Sequence, residues 1–299
     1  MPGRLVGPPP ARPERPALGR GSRHRVPGAE GRGGRRVPGM LTVEEQGELL
    51  HAKHALAPNS LGYCGPDENG RILEHLHDSL VDDALDSILR RFEAAYPFVR
   101  MIAKATGRSP FDREVTEAYW IGNPLLDGVP TSEFYEFTYR DLFPSRKGAG
   151  KGDGAHRREM RALFKGLGSM ARPHHTFYVL GMQARSSVKS GSEAKLLELM
   201  DSCRISWGRV VEVKRSGLVV ERPRLAMDQA RLSLAPPERR EVHYDPLIPS
   251  FADVRGGDWV SIHWNFASEK LSSRQLANLR RYTALDIGAA NGLASAKGR

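Results

Sequence analysis

The sequence predicts an α+β protein: a helical N-terminal domain over residues 40–200, then a small β-barrel closed by a helix. Three observations carry this expectation. Between residues 71 and 92, Leu73, Leu76, Leu80, Ala84, Leu85, Ile88 and Phe92 recur at spacings of three and four, the period of an amphipathic helix. From Cys203 to about Tyr282 the pattern changes to short β-branched runs separated by turn residues, four or five in about eighty residues. A basic amphipathic stretch, SSRQLANLRRYTALDIG, then follows, with Leu276, Leu279 and Tyr282 opposite Arg274, Arg280 and Arg281.

Residues 1–39 carry nine Arg against Glu14 and Glu30, and almost everything else there is Pro, Gly or Ala. A segment this poor in apolar residues is expected to be a disordered basic arm. Met40 opens MLTVEEQGELL as an ordinary start would, so the arm is expected to arise from a misplaced start codon. Most of the chain's net charge of +10 sits in that arm, and the remainder is close to neutral. That balance argues against general nucleic-acid binding. The chain has no apolar run long enough for a membrane helix and no signal-peptide core, so a cytoplasmic protein is expected.

The helical region opens at Thr42 with Glu45 three residues on, the spacing of a capping box. The turn-rich loop NSLGYCGPDENG holds Cys64, and the long periodic segment from Arg71 runs to Pro97. Asp112 is placed to cap REVTEAYWIGN, and Thr131 or Ser132 to begin EFYEFTYRDLF, which Pro144 stops. A glycine-rich loop, RKGAGKGDGAHR, lacks the preceding strand and the Ser or Thr that a phosphate loop requires. ARPHHTFYVLGMQAR is read as extended at its two histidines, and the helix EAKLLELMDS delivers the chain to Cys203.

The strand region begins CRISWGRVVEV, with Gly208 as a bend, and continues through LVV (218–220) and ARLSL (230–234). It ends with a turn at Gly256, Gly257 and Asp258 that feeds a strand Trp259–Trp264, whose Trp259, Ser261 and His263 share one face. These residues resemble the HypC/HupF/HoxL hydrogenase-maturation chaperones over about residues 201–285. Members begin their first strand with a cysteine and carry a GDYVxVHxGFA-type segment, to which GDWVSIHWNFASEKL is similar. Two departures are plain: Cys203 is internal rather than next to an initiator Met, and Trp207 stands where the family has proline.

The resemblance implies an OB-like barrel and a non-enzymatic accessory factor in NiFe-hydrogenase maturation. It implies Cys203 as ligand and contact residue for an iron centre carrying cyanide and carbonyl ligands, with His263 beside it. It further implies the hydrogenase large-subunit precursor and other maturation proteins as partners, met through Cys203, Trp207, Arg274 and Arg281. Residues 286–299 are expected to be a flexible tail. Read from the residues alone, an imidazole near a thiol lowers its pKa or shares a metal with it. Cys64, His174 or His175, Cys203 and His263 make a mixed sulfur–nitrogen set if the helical and strand regions pack together. A metal-binding enzyme or sensor with its site at that junction, or a pure protein-interaction module, are the alternatives. His51 and His54, three apart on one helix face, have no carboxylate or cysteine close in sequence to suggest a metal.

Overall fold

Threonine 42 caps the first helix as the sequence predicts: its side chain accepts from the Glu45 N–H while Glu45 accepts from the Thr42 N–H. The computed structural model describes residues 41–142, 158, 161–162, 164–183, 193–215, 217–229 and 231–295. The arm at 1–39 and the glycine-rich loop at 146–157 lie outside these residues. Helices α1 (Val43–Ser60), α2 (Asn69–Asp78), α3 (Asp83–Arg90), α4 (Tyr96–Thr106), α5 (Arg113–Trp120) and α6 (Thr131–Phe137) come first. A 3-10 turn, Pro124–Gly128, precedes α6, and a π-helical turn, Thr138–Leu142, extends it.

The long helix expected over 71–92 is two helices. Ser79 adopts a left-handed conformation (φ 48°) at the end of α2, and Asp82 then caps α3 by accepting from the Ala84 and Leu85 N–H groups. Asp82 also accepts from His75 Nε2 at 3.0 Å while remaining exposed. The segment read as extended around His174 is helical from His175 to Phe177 and π-helical from Tyr178 to Gln183.

Helix α7 (Glu193–Cys203) leads into an antiparallel sheet of β1 (Ser206–Val213), β2 (Leu218–Asp228), β3 (Arg231–Val242), β4 (Trp259–His263) and β5 (Phe266–Lys270). Cys203 therefore ends a helix instead of starting the first strand. The strand order is β3-β2-β1-β4-β5, an open sheet. One parallel bridge, His243 to Phe266, joins the end of β3 to the start of β5. Strands β2 and β3 are much longer than the predicted runs, because their prolines are tolerated. Pro236 and Pro237 lie on the edge strand, and the register shifts beside Pro223 where it faces Pro237. Gly208 is no bend: it pairs with Val260, and a Cβ there would lie 2.9 Å from Ile262 and Val220 side-chain atoms.

Helix α8 (Ser273–Ser295) closes the described chain. Ala289, Ala290 and Leu293 are buried, so residues 286–295 are packed helix rather than tail. The division expected near residue 200 falls within a single compact unit, Leu41–Arg299. One hydrophobic core takes Ala52 and Leu56 from α1, Val115 and Trp120 from α5, Val210, Val220 and Ile262 from the sheet, and Leu279 and Tyr282 from α8.

Helix α1 is buried on most sides because it lies between α5 and the sheet. Lys53 pairs with Glu269 of β5, and His54 Nε2 meets Ser261 Oγ of β4 at 3.1 Å. Gly47 permits this position, since a Cβ there would sit 1.9 Å from the Phe111 carbonyl oxygen. Gly47→Ala raises helix propensity but must displace backbone, so we expect a net destabilisation of about 1–3 kcal/mol. Urea unfolding measures it, and a stabilised variant would contradict the packing of α1 against the 107–112 turn.

Candidate metal centre

Three elements converge at the inner end of β4. His263 ends that strand, and the two-residue turn after it places Trp264 (φ 49°) and Asn265 (φ 60°) in the left-handed region. That geometry suits a type I′ hairpin but is unusual for a bulky residue such as Trp. Cys203 ends α7, and His175 opens the helical turn after Pro173. The candidate ligand atoms of His175, Cys203 and His263 all lie within 4.8 Å of one another. They face a cavity of about 90 Å³ that Cys64, Tyr119 and Tyr178 also line.

Hydrogen bonds set the imidazoles. His263 Nδ1 lies 2.7 Å from the His54 carbonyl oxygen, which can only accept, so Nδ1 carries the proton. Its Nε2 is then a bare lone pair that makes no formal hydrogen bond among the described residues, with the Cys203 backbone close enough to act on the ring. His175 has two neighbours: Nδ1 lies 3.1 Å from Tyr119 Oη, and Nε2 lies 2.9 Å from the Cys203 carbonyl oxygen. A neutral ring has one proton for these two positions. When it sits on Nδ1, it is donated to Tyr119 Oη while the Tyr119 hydroxyl donates to the Ala94 carbonyl at 3.0 Å, and Nε2 is released as a ligand. His263 thus has the outer hydrogen bond from Nδ1 that orients metal-binding histidines, whereas the His175 proton, held on Nε2 by the Cys203 carbonyl, must move to Nδ1 before Nε2 can bind metal.

Electrostatics keeps these donors neutral. Burial lowers His263 to about 3 and His175 well below the usual histidine range. Burial, reinforced by Cys64, pushes the Cys203 thiol up to about 12. The Trp264 indole N–H makes no formal hydrogen bond, yet it lies close enough to the Cys203 sulfur to oppose that rise. A bound cation reverses this balance by stabilising the thiolate directly. Two imidazoles and a thiolate suit borderline transition metals such as zinc, iron or copper.

The remaining candidates are placed elsewhere. His174 turns away and pairs with Asp286 at 2.5 Å, both fully buried. Trp207 is buried, and Arg280 lies over its ring and over that of Trp259, at 5.8 and 4.7 Å from the centroids. Arg274 pairs with Glu117 at 3.5 Å and Arg281 with Asp127 at 3.5 Å. These expected partner-contact residues thus hold α8 against the helices and the sheet, although both arginines remain substantially exposed. Two residues of the site carry no sequence signal. Tyr119 lies in AYWIGN, which reads as core, and the His54 carbonyl belongs to a helix with no visible link to β4.

His51 and His54 back the site through Trp120, whose indole Nε1–H donates to His51 Nδ1 at 3.2 Å and whose ring stacks on His54 at 5.4 Å. Burial holds His51 at about 3 and His54 at about 4. Their folded pKa values lie below the unfolded value of about 6.5, so the unfolded chain binds more protons between these limits. Stability is therefore complete above pH 6.5 and falls as the pH is lowered toward 4 and then 3. Each histidine contributes a slope of about 1.4 kcal/mol per pH unit. Glu48, raised by burial to about 7, works in the opposite direction. With His263 included, metal-free protein is expected to lose about 4 kcal/mol from pH 6.5 to 5. Urea midpoints measure this, and a flat profile would contradict neutral burial of the histidines.

An α+β protein carrying a buried imidazole–thiol cluster at its helix–sheet junction is the class that fold and site define. The chain belongs to the family described as DUF6390, a family of unknown function, which it matches over residues 43–297. No curated protein and no solved structure matches the chain. No helix among the described residues is long and apolar enough to cross a membrane.

Proposed function

We propose that this is a metal-binding accessory protein of the cytoplasm, holding one transition-metal ion through His175, Cys203 and His263. The observation that carries the reading is the bare Nε2 of His263. A buried nitrogen lone pair without a partner is costly, and here it faces a thiol and a second imidazole whose ligand atoms lie within 4.8 Å. The free thiols of Cys64 and Cys203 accord with a reducing compartment. Titration of the full chain with zinc or ferrous iron against a chromophoric chelator tests it. One equivalent bound by wild type and lost in His263→Ala is the expected result, and no binding by wild type overturns it.

A role in hydrogenase maturation is the more specific form of this reading. It is supported by the strand order together with the parallel His243–Phe266 bridge, which brings the ends of β3 and β5 together in the sense that closing an OB-like barrel requires. Cys203 lies three residues before β1, close to where the resembling chaperones carry their cysteine. Its thiol is largely enclosed, so this chain would retain an iron fragment more readily than hand it on. Affinity capture from the native host, with infrared spectroscopy of the eluate, tests this form. A hydrogenase large-subunit precursor and cyanide and carbonyl bands, both lost in Cys203→Ala, would support it. Metal without these bands or partners would remove the hydrogenase role and leave the metal site.

A further inference from the structure

We infer that Cys64 is a fourth ligand, so that the centre is a closed two-cysteine, two-histidine site for a divalent, tetrahedral metal of the zinc class. The inference rests on the metal reading of His175, Cys203 and His263. Cys64 lines the same cavity as those three residues but stands outside the set whose ligand atoms lie within 4.8 Å of one another, so its side chain must turn inward to complete the shell. The loop that carries it is built to hold it there. Asn59 Nδ2 donates to the Cys64 carbonyl at 2.9 Å and also to the Pro66 carbonyl. Gly65 has φ +80°, and a Cβ there would lie 2.3 Å from the Phe92 ring, so only glycine allows the chain to pass.

The Ala94 peptide orients ligands on both sides. Burial raises the Cys64 thiol and the Ala94 N–H opposes that rise, while the Ala94 carbonyl accepts from Tyr119, the residue that accepts from His175 Nδ1 when Nε2 binds metal. Charge then selects the ion. A divalent cation on two neutral imidazoles and one thiolate leaves a net positive charge in a buried site, whereas a second thiolate cancels it. Four donors of this kind match the preferred zinc set. Tyr63, beside Cys64, stacks on Trp264, beside His263, with ring centroids 4.3 Å apart. That contact clasps the two ligand-bearing loops across the cavity.

Cobalt(II) loading of the full chain tests the assignment, because sulfur-to-cobalt charge transfer scales with the number of bound thiolates. Wild type is expected to show tetrahedral d–d bands and a two-thiolate charge-transfer intensity. Cys64→Ser and Cys203→Ser should each show about half that intensity, with unchanged circular dichroism, and the double variant none. If Cys64→Ser does not fold, X-ray absorption of cobalt-loaded wild type supplies the answer: a shell with two sulfurs is expected. Full wild-type intensity in Cys64→Ser, or a shell with a single sulfur in the loaded wild type, overturns the fourth ligand while leaving the three-residue site. Absence of cobalt binding by wild type overturns both.

Discussion

Asp201→Ala is expected to destabilise the protein by about 3–5 kcal/mol, among the largest losses available from a single side chain. Asp201 is buried and accepts from Arg204 Nε and Nη2 at 3.0 and 2.8 Å, from Arg222 Nη2 at 2.6 Å and from the Leu225 N–H at 2.8 Å. Arg204 is fully buried and Arg222 nearly so. Removing the carboxylate leaves two guanidinium groups enclosed without their counter-charge, and that penalty exceeds the loss of the hydrogen bonds themselves. Asp201→Asn keeps an acceptor but not the charge, and should fall between wild type and the alanine variant. Urea unfolding reads both, and a loss below about 1 kcal/mol for Asp201→Ala would mean that the cluster is solvated.

The same cluster fixes the position of Cys203. Asp201 on α7 and Arg204 just past its end flank it, and the Arg204 guanidinium donates to the Pro223 carbonyl of β2 at 2.8 Å. The end of the helix is thereby tied to the sheet on both sides of the thiol. Burial of a charged triad here is costly in itself, and it places the sulfur opposite the inner end of β4.

His263→Ala is expected to lower metal affinity by at least about 100-fold, whereas Tyr119→Phe, which removes only the outer hydrogen bond to His175, lowers it by about 10–100-fold. The two variants separate ligand from support. Losing the bare Nε2 removes a bond to the metal, while losing the phenol relaxes the choice of proton position on His175. Competition against a chelator of known affinity measures both. Equal affinities for wild type and His263→Ala would remove β4 from the site and leave the buried His263 lone pair without a role.

Much of the helical region was legible in the sequence, because caps and periodicity are local. Thr42 with Glu45 and Asp112 before α5 act as their residue types predict. The break at Ser79 was not legible, since the apolar spacing runs through it and only the left-handed turn interrupts the helix. The β2–β3 hairpin was underestimated because Pro223, Pro236 and Pro237 read as strand breakers. Only the strand order shows that one of these strands is an edge. The site divides in the same way. Cys203 and His263 stand out through the resemblance, while the place of His175 and Cys64 depends on contacts far apart in sequence. For the adjacent histidines, His174 is extended, as read, and meets Asp286, while His175 opens the helical turn and faces the cavity.

X-ray absorption at the metal edge of zinc-loaded full-length protein tests the central claim most directly. The account predicts one ion with a mixed shell, sulfur at about 2.3 Å and imidazole nitrogen at about 2.0–2.1 Å. The nitrogen contribution should diminish in His263→Ala. A shell of oxygen alone, or a spectrum of solvated zinc, would contradict the assignment of His175, Cys203 and His263 as a metal centre.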